Sequence, residues 1–132
     1  MGFVKAALDD VAEPEVVAEG EYDLRIVKSE DKESRAGNPM TEIFIRIEDA
    51  GSKNPALVAH YLNHVTPETP KDQQQMRLLE TKRFLQVFGV AHTPEGFDTD
   101  DLQGATGRCL LIQEEGKDGV TRNRMKLPRL KE

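Results

Sequence analysis

Between residues 20 and 47 the chain alternates apolar and polar positions. Leu24 and Ile26 alternate with Asp23 and Arg25, and Ile43, Ile45 and Ile47 alternate with Glu42, Phe44 and Arg46. A period of two belongs to strands buried on one face only. It predicts a first strand over about 20–30, a charged turn over 31–38 that closes on Gly37-Asn38-Pro39, and a second strand over about 40–48. After a turn at 49–55 comes a third strand, about 56–65, with Leu57, Val58, His60, Tyr61 and Leu62. Thr66-Pro67-Glu68-Thr69-Pro70 interrupts regular structure and leads into one helix over about 71–88. Thr69 suits its cap, Pro70 its first position and Asp72 the capping-box slot. Leu78, Thr81, Leu85 and Phe88 make an apolar stripe with Phe84 alongside, and Gly89 stands where a left-handed residue ends a helix. A loop over 91–106 follows, in which Asp98 can cap a single turn carrying Leu102. Strands over about 107–115 and 120–127 flank Gly116-Lys117-Asp118-Gly119, a hairpin turn in which Asp-Gly tolerates positive φ.

Three strands, a helix and two strands predict a mainly β protein. The expectation is an OB-fold, a five-stranded Greek-key barrel with one helix between strands three and four. Another small barrel or an α+β sandwich is the competing architecture. The OB-fold domain would occupy 20–130, behind an acidic N-terminal arm at 1–19. In the arm Phe3, Val4, Ala7, Leu8 and Val11 have near-helical spacing, but Pro14 ends any helix, so one short helix or an edge strand is expected.

The length of 132 residues fits one domain. Cys109 is alone, which excludes a disulfide framework and a cysteine-based zinc site and suits a reducing cytoplasm. The sequence holds no apolar run of membrane-spanning length and shows no signal peptide, so no membrane partner is expected. The net charge of −6 speaks at first against nucleic acid, but it is unevenly spread. Residues 1–33 hold ten acids against four bases, while the remainder is balanced and finishes on Arg122, Arg124, Lys126, Arg129 and Lys131.

The runs GEYDLRIVKSEDKESRAGNPM, KRFLQVFG, DLQGATGR and RNRMKLPRL resemble a family of small bacteriophage OB-fold proteins, described as single-stranded DNA-binding proteins or as a domain of unknown function among phage replication and recombination genes. The resemblance spans about residues 11–130. It implies a DNA-binding protein of phage replication or recombination, working in the cytoplasm of an infected bacterial host. The rival reading is an OB-type protein-interaction accessory module of such a complex, recruiting phage or host proteins through the acidic arm. Homo-oligomer formation stays open.

No catalytic set emerges, no cofactor is expected, and the protein is read as non-enzymatic. His60 and His64 stand four apart on a strand, where four residues span roughly 13 Å, too far to chelate one metal. Cys109 alternates with Leu111 as a small core residue does. Asp98, Asp100 and Asp101 lack the glycine and glutamate positions of a calcium loop. The remaining lead is basic and aromatic. Lys28, Lys32, Arg35 and Asn38 border the first turn, Phe44 and Arg46 lie on the polar face of strand two, and Tyr61 on strand three. Lys117, Arg122, Arg124 and Lys126 border the hairpin between strands four and five. In an OB barrel these places converge on one groove, where cations track phosphates and rings stack bases. Lys82 and Arg83, on the helix, are expected to be solvated.

Overall fold

The computed structural model describes residues 2–9, 11–51 and 54–130. In chain order it contains β1 (Gly20–Glu33), β2 (Pro39–Ile47), β3 (Val58–Asn63), α1 (Lys71–Val87), β4 (Thr106–Glu115) and β5 (Thr121–Lys126). A short 3-10 turn at Thr99–Asp101 lies between α1 and β4. The strands form one antiparallel sheet ordered β3-β2-β1-β4-β5. The sheet curls until Cα atoms of the edge strands β3 and β5 come within 8 Å. Among the described residues no ladder joins those edges, so the sheet stays open along one seam.

The period of two sorts the side chains. Leu24, Ile26, Ile43, Ile45, Val58, Leu62 and Leu111 are buried on the concave face, closed over by Phe84, Leu85, Phe88 and Leu102. Each such side chain contributes roughly 1.5–3 kcal/mol relative to exposure, so this layer dominates the stability. A bulge at Val27 changes the phase of β1. Ile26 pairs with Ile45, but the next partner of β2 is Lys28, opposite Phe44. Beyond the bulge Lys28, Glu30 and Lys32 therefore share the outer face with Glu42 and Phe44. Gly107 in β4 lets α1 lie directly on the sheet, because a Cβ there would overlap the Val87 carbonyl oxygen.

Several local expectations hold. Gly89 follows the helix with φ 62°, Gly119 closes the last hairpin with φ 79°, and the Asp98 carboxylate accepts from the Asp100 N–H at 2.9 Å. Others need correction. β1 continues to Glu33, so Asp31 and Lys32 belong to the strand and the turn is confined to 34–38. There the Ser34 N–H donates to the Asn38 carbonyl at 2.8 Å and Gly37 adopts φ 82°. Thr69 does not cap the helix. Pro70 is the cap residue, without a side-chain bond, while Thr69 Oγ1 accepts from the Thr66 N–H at 2.9 Å and closes the preceding turn. The helical stripe is buried only over its last turns, since Leu78 is exposed. The helix meets the sheet by its C-terminal end, so its first half has no partner to cover.

The arm forms no helix among its described residues, and Asp10 lies outside them. Residues 2–9 and 11–15 are exposed, yet Val17 enters the core. Its N–H donates to Asn123 Oδ1 at 2.8 Å, and its carbonyl accepts from Asn123 Nδ2 at 3.0 Å and Gln113 Nε2 at 2.9 Å. Glu15 exchanges backbone bonds of 2.8 Å with Asn54 and Ala56. The core thus reaches back to Val17, which ties the arm's last residues to β4, β5 and the β2–β3 loop.

Candidate functional site

The candidate site lies at the open seam. Where β3 and β5 face each other without a ladder, a groove of about 900 Å³ runs between them, with α1 on one side. Register decides what lines it. Ala59 and Tyr61 of β3 share a face with Phe44 of β2, their neighbour in the sheet. Arg122, Arg124 and Lys126 of β5 share the matching face beyond β4, opposite Glu114, Ile112 and Leu110. The curl of the sheet brings the two faces together, so Phe44, Tyr61, Arg122, Arg124 and Lys126 line one groove.

The other expected residues are spread more widely. Lys28 Nζ sits over the Phe44 ring, 6.0 Å from its centroid, and so borders the groove. Lys32 Nζ donates to Glu42 at 3.0 Å, and Glu42 also accepts from the Tyr61 hydroxyl, which links Lys32 to the groove's edge. Arg35 and Asn38 lie in the turn at the far tip of the β1–β2 hairpin, outside the groove. Arg46 turns away to Glu48 at 3.2 Å. Lys117 is exposed in the β4–β5 turn beside Gly116, which does line the groove. Arg129 lies beyond β5, and Lys131 lies outside the described residues.

Most of these cations already have carboxylate partners. Arg122 pairs with Asp118 at 2.7 Å and Arg124 with Glu114 at 2.7 Å. The Arg122 bond holds the Asp118 carboxyl down to about 2. The Lys32 bond lowers the Glu42 carboxyl, while burial, and then Glu42, raise the Tyr61 phenol. Lys126 and Arg83 have no carboxylate partner among the described residues. Exposed pairs of this kind are worth about 0–1 kcal/mol, so an incoming anion displaces a carboxylate at little cost.

Two groove residues were not legible as such. His60 lines the floor, its ring stacked on Phe84 at 5.0 Å and 6°. Arg83, expected to be solvated, instead reaches into the groove from α1. No local signal marks it, because successive residues on a helix do not share a face and buried Phe84 says nothing of where Arg83 lies. His60 Nε2 and Arg83 Nε are buried without a hydrogen-bond partner in the protein. Burial, aided by the charge of Arg124, lowers His60 to about 4, so its ring is neutral at pH 7.

The other titratable groups make local contacts. His64 Nε2 lies 2.7 Å from Thr41 Oγ1, which donates to Asp31 at 2.7 Å, so His64 and His60 serve different surroundings. Burial raises the Cys109 thiol. Among the described residues no group of His, Cys, Asp and Glu could hold a metal, and no helix is long and apolar enough to cross a membrane. A second cleft, of about 610 Å³, separates α1 from the loop at 92–97, with Leu78, Lys82, His64 and Phe97 on its walls.

The chain matches the model of a family described as protein of unknown function (DUF669) over residues 4–111, most of its length, and belongs to that family. No curated protein matches it.

Proposed function

We propose that this DUF669 protein binds single-stranded DNA in the β3–β5 groove, without catalysis. Its fold is read as an OB-fold, because joining β3 to β5 would close the observed order β3-β2-β1-β4-β5 into a five-stranded Greek-key barrel with the helix between strands three and four. OB barrels are partly open and bind oligonucleotides over strands two and three. The observation that carries the function is convergence. Two rings from β2 and β3 and three cations from β5 line the same groove. A single strand asks for that combination, with rings stacking on base faces and cations following the backbone. Coating or protecting strands during phage replication or recombination, in the cytoplasm of the host, is the role proposed.

Fluorescence titration of labelled oligo-dT tests the reading. If Arg122, Arg124 and Lys126 each neutralise one phosphate, a slope of about 0.7 per contact predicts a roughly tenfold to twentyfold loss of affinity between about 50 and 200 mM salt. Tyr61→Ala should weaken binding by about 1–3 kcal/mol with an unchanged melting temperature, since Tyr61 is half exposed. A flat salt response, or duplex bound as tightly as single strand, would sink the proposal.

One observation favours the second reading, an accessory module that recruits proteins. Phe3, Val4, Leu8 and Val11 are exposed on the acidic arm ahead of the Val17 anchor. Apolar anchors on a charged, unpacked segment suit a partner's groove. Under that reading, deleting residues 1–13 abolishes co-purification of a replication or recombination partner and leaves oligo-dT titrations blank for the full chain.

A further inference from the structure

The floor of the groove contains two nitrogens that folding has buried and left unpaired, Arg83 Nε and His60 Nε2. Native proteins pair the great majority of buried polar atoms, because a buried group without a partner gives up its bonds to water and gains nothing in return. Here two occur together, contributed by α1 and β3, in the groove that also holds Arg124 and Lys126. Arg83 Nε is only ever a donor. A neutral imidazole can also donate from Nε2, so each residue can offer an N–H to an acceptor in the groove without taking up a proton. Arg83 has no carboxylate partner among the described residues, and Glu80, also on the groove wall, does not pair with it.

The geometry points to a phosphoryl-oxygen subsite formed by Arg83 and His60 on the groove floor, holding one backbone phosphate of a bound single strand. It rests on the reading of the groove as a DNA site and adds a place where one phosphate is fixed while its neighbours track the exposed cations of β5. Both nitrogens are closed to solvent in the free protein, so side-chain movement opens the subsite as the phosphate enters, over a His60 ring backed by Phe84.

The test uses the full chain, with Arg83→Gln, His60→Phe (which keeps a ring on Phe84), Tyr61→Ala, and Lys82→Gln as a control outside the groove. Oligo-dT binding should weaken roughly tenfold or more for Arg83→Gln, as expected for a lost charge-assisted hydrogen bond. Its log–log salt slope should fall by about 0.7, the share of one phosphate on a single strand. His60→Phe should weaken binding and leave the slope unchanged, because the ring carries no charge at pH 7. Lys82→Gln should change neither. If Tyr61→Ala weakens binding while Arg83→Gln and His60→Phe leave affinity and slope intact, the subsite is wrong and the groove stands. If wild-type protein binds no oligo-dT, the groove reading fails and inorganic pyrophosphate decides the subsite. A shift of the His60 ring resonances that Arg83→Gln abolishes retains it, and unchanged resonances overturn it.

Discussion

The middle of the sheet and its open seam are built from the same alternating strands, yet they solve opposite problems. In the middle, β1 pairs with β2 and, over Gly20–Arg25, also with β4, and Leu24, Ile26, Ile43 and Ile45 are fully buried. At the seam, β3 and β5 each have one partner and face each other across charged side chains and two unpaired nitrogens. Backbone pairing satisfies polar groups locally and leaves nothing for a ligand to do. At the seam the unpaired atoms are side-chain nitrogens from α1 and β3, and a ligand gains by meeting them.

The largest test of this contrast is Phe84→Ala, because Phe84 belongs to both regions, fully buried in the core and stacked beneath His60. It should destabilise by about 3–5 kcal/mol in denaturant titration. Loss of groove function without loss of stability would show that the two regions are not mechanically joined. Next is the arm. Removing residues 1–18 takes Val17 out of the core and strips Asn123 of both its bonds to Val17, at a cost of about 2–4 kcal/mol, whereas removing 1–13 should leave the melting temperature unchanged. Equal melting of both truncations would place the arm wholly outside the domain.

Acid should expose the seam first. His60 stands at about 4 in the folded protein against 6.5 as its ordinary value, faced by Arg124 from β5 and by Arg83 and Glu80 from α1. Between those values the unfolded chain holds a proton at this position that the folded chain does not, so stability falls as pH drops from about 6.5 toward 4. The loss is on the order of 2–3 kcal/mol, and His60→Phe should remove it from a pH series of denaturant melts. An identical slope in that variant would assign the acid sensitivity to other groups. The smallest effect belongs to the outer surface. Arg108 bonds Asp23 at 2.9 Å and Asp49 at 3.4 Å, but all three side chains are exposed, so Arg108→Gln should cost under about 1 kcal/mol and less in high salt.

Much of the middle was legible in the sequence, because the period of two in Ile43, Ile45 and Ile47 is itself the burial pattern. The single helix, its Gly89 stop and the Asp98 turn were also readable, since each depends on neighbouring residues. The bulge at Val27 and the extension of β1 through Asp31 and Lys32 were not, because charged residues read as turn until a partner strand is known. Thr69 misled for a similar reason, its hydroxyl having two local uses of which the turn won. At the site, Phe44, Tyr61, Arg122, Arg124 and Lys126 were brought together as expected, whereas Arg35, Asn38 and Arg46 were not. His60 and Arg83 depend on how α1 crosses an unpaired seam, a relation between distant segments that leaves no periodic trace.

Gly107 sets the clearance of that crossing. The last turn of α1 rests on the bare backbone of β4, with the Val87 carbonyl occupying the space a methyl group would need. Any larger residue at 107 acts as a shim, lifting the end of the helix and carrying Phe84 and Arg83 with it. The bore of the groove is therefore gauged by a residue that does not line it, and Gly107→Ala should retune what the seam admits without altering one atom of its walls.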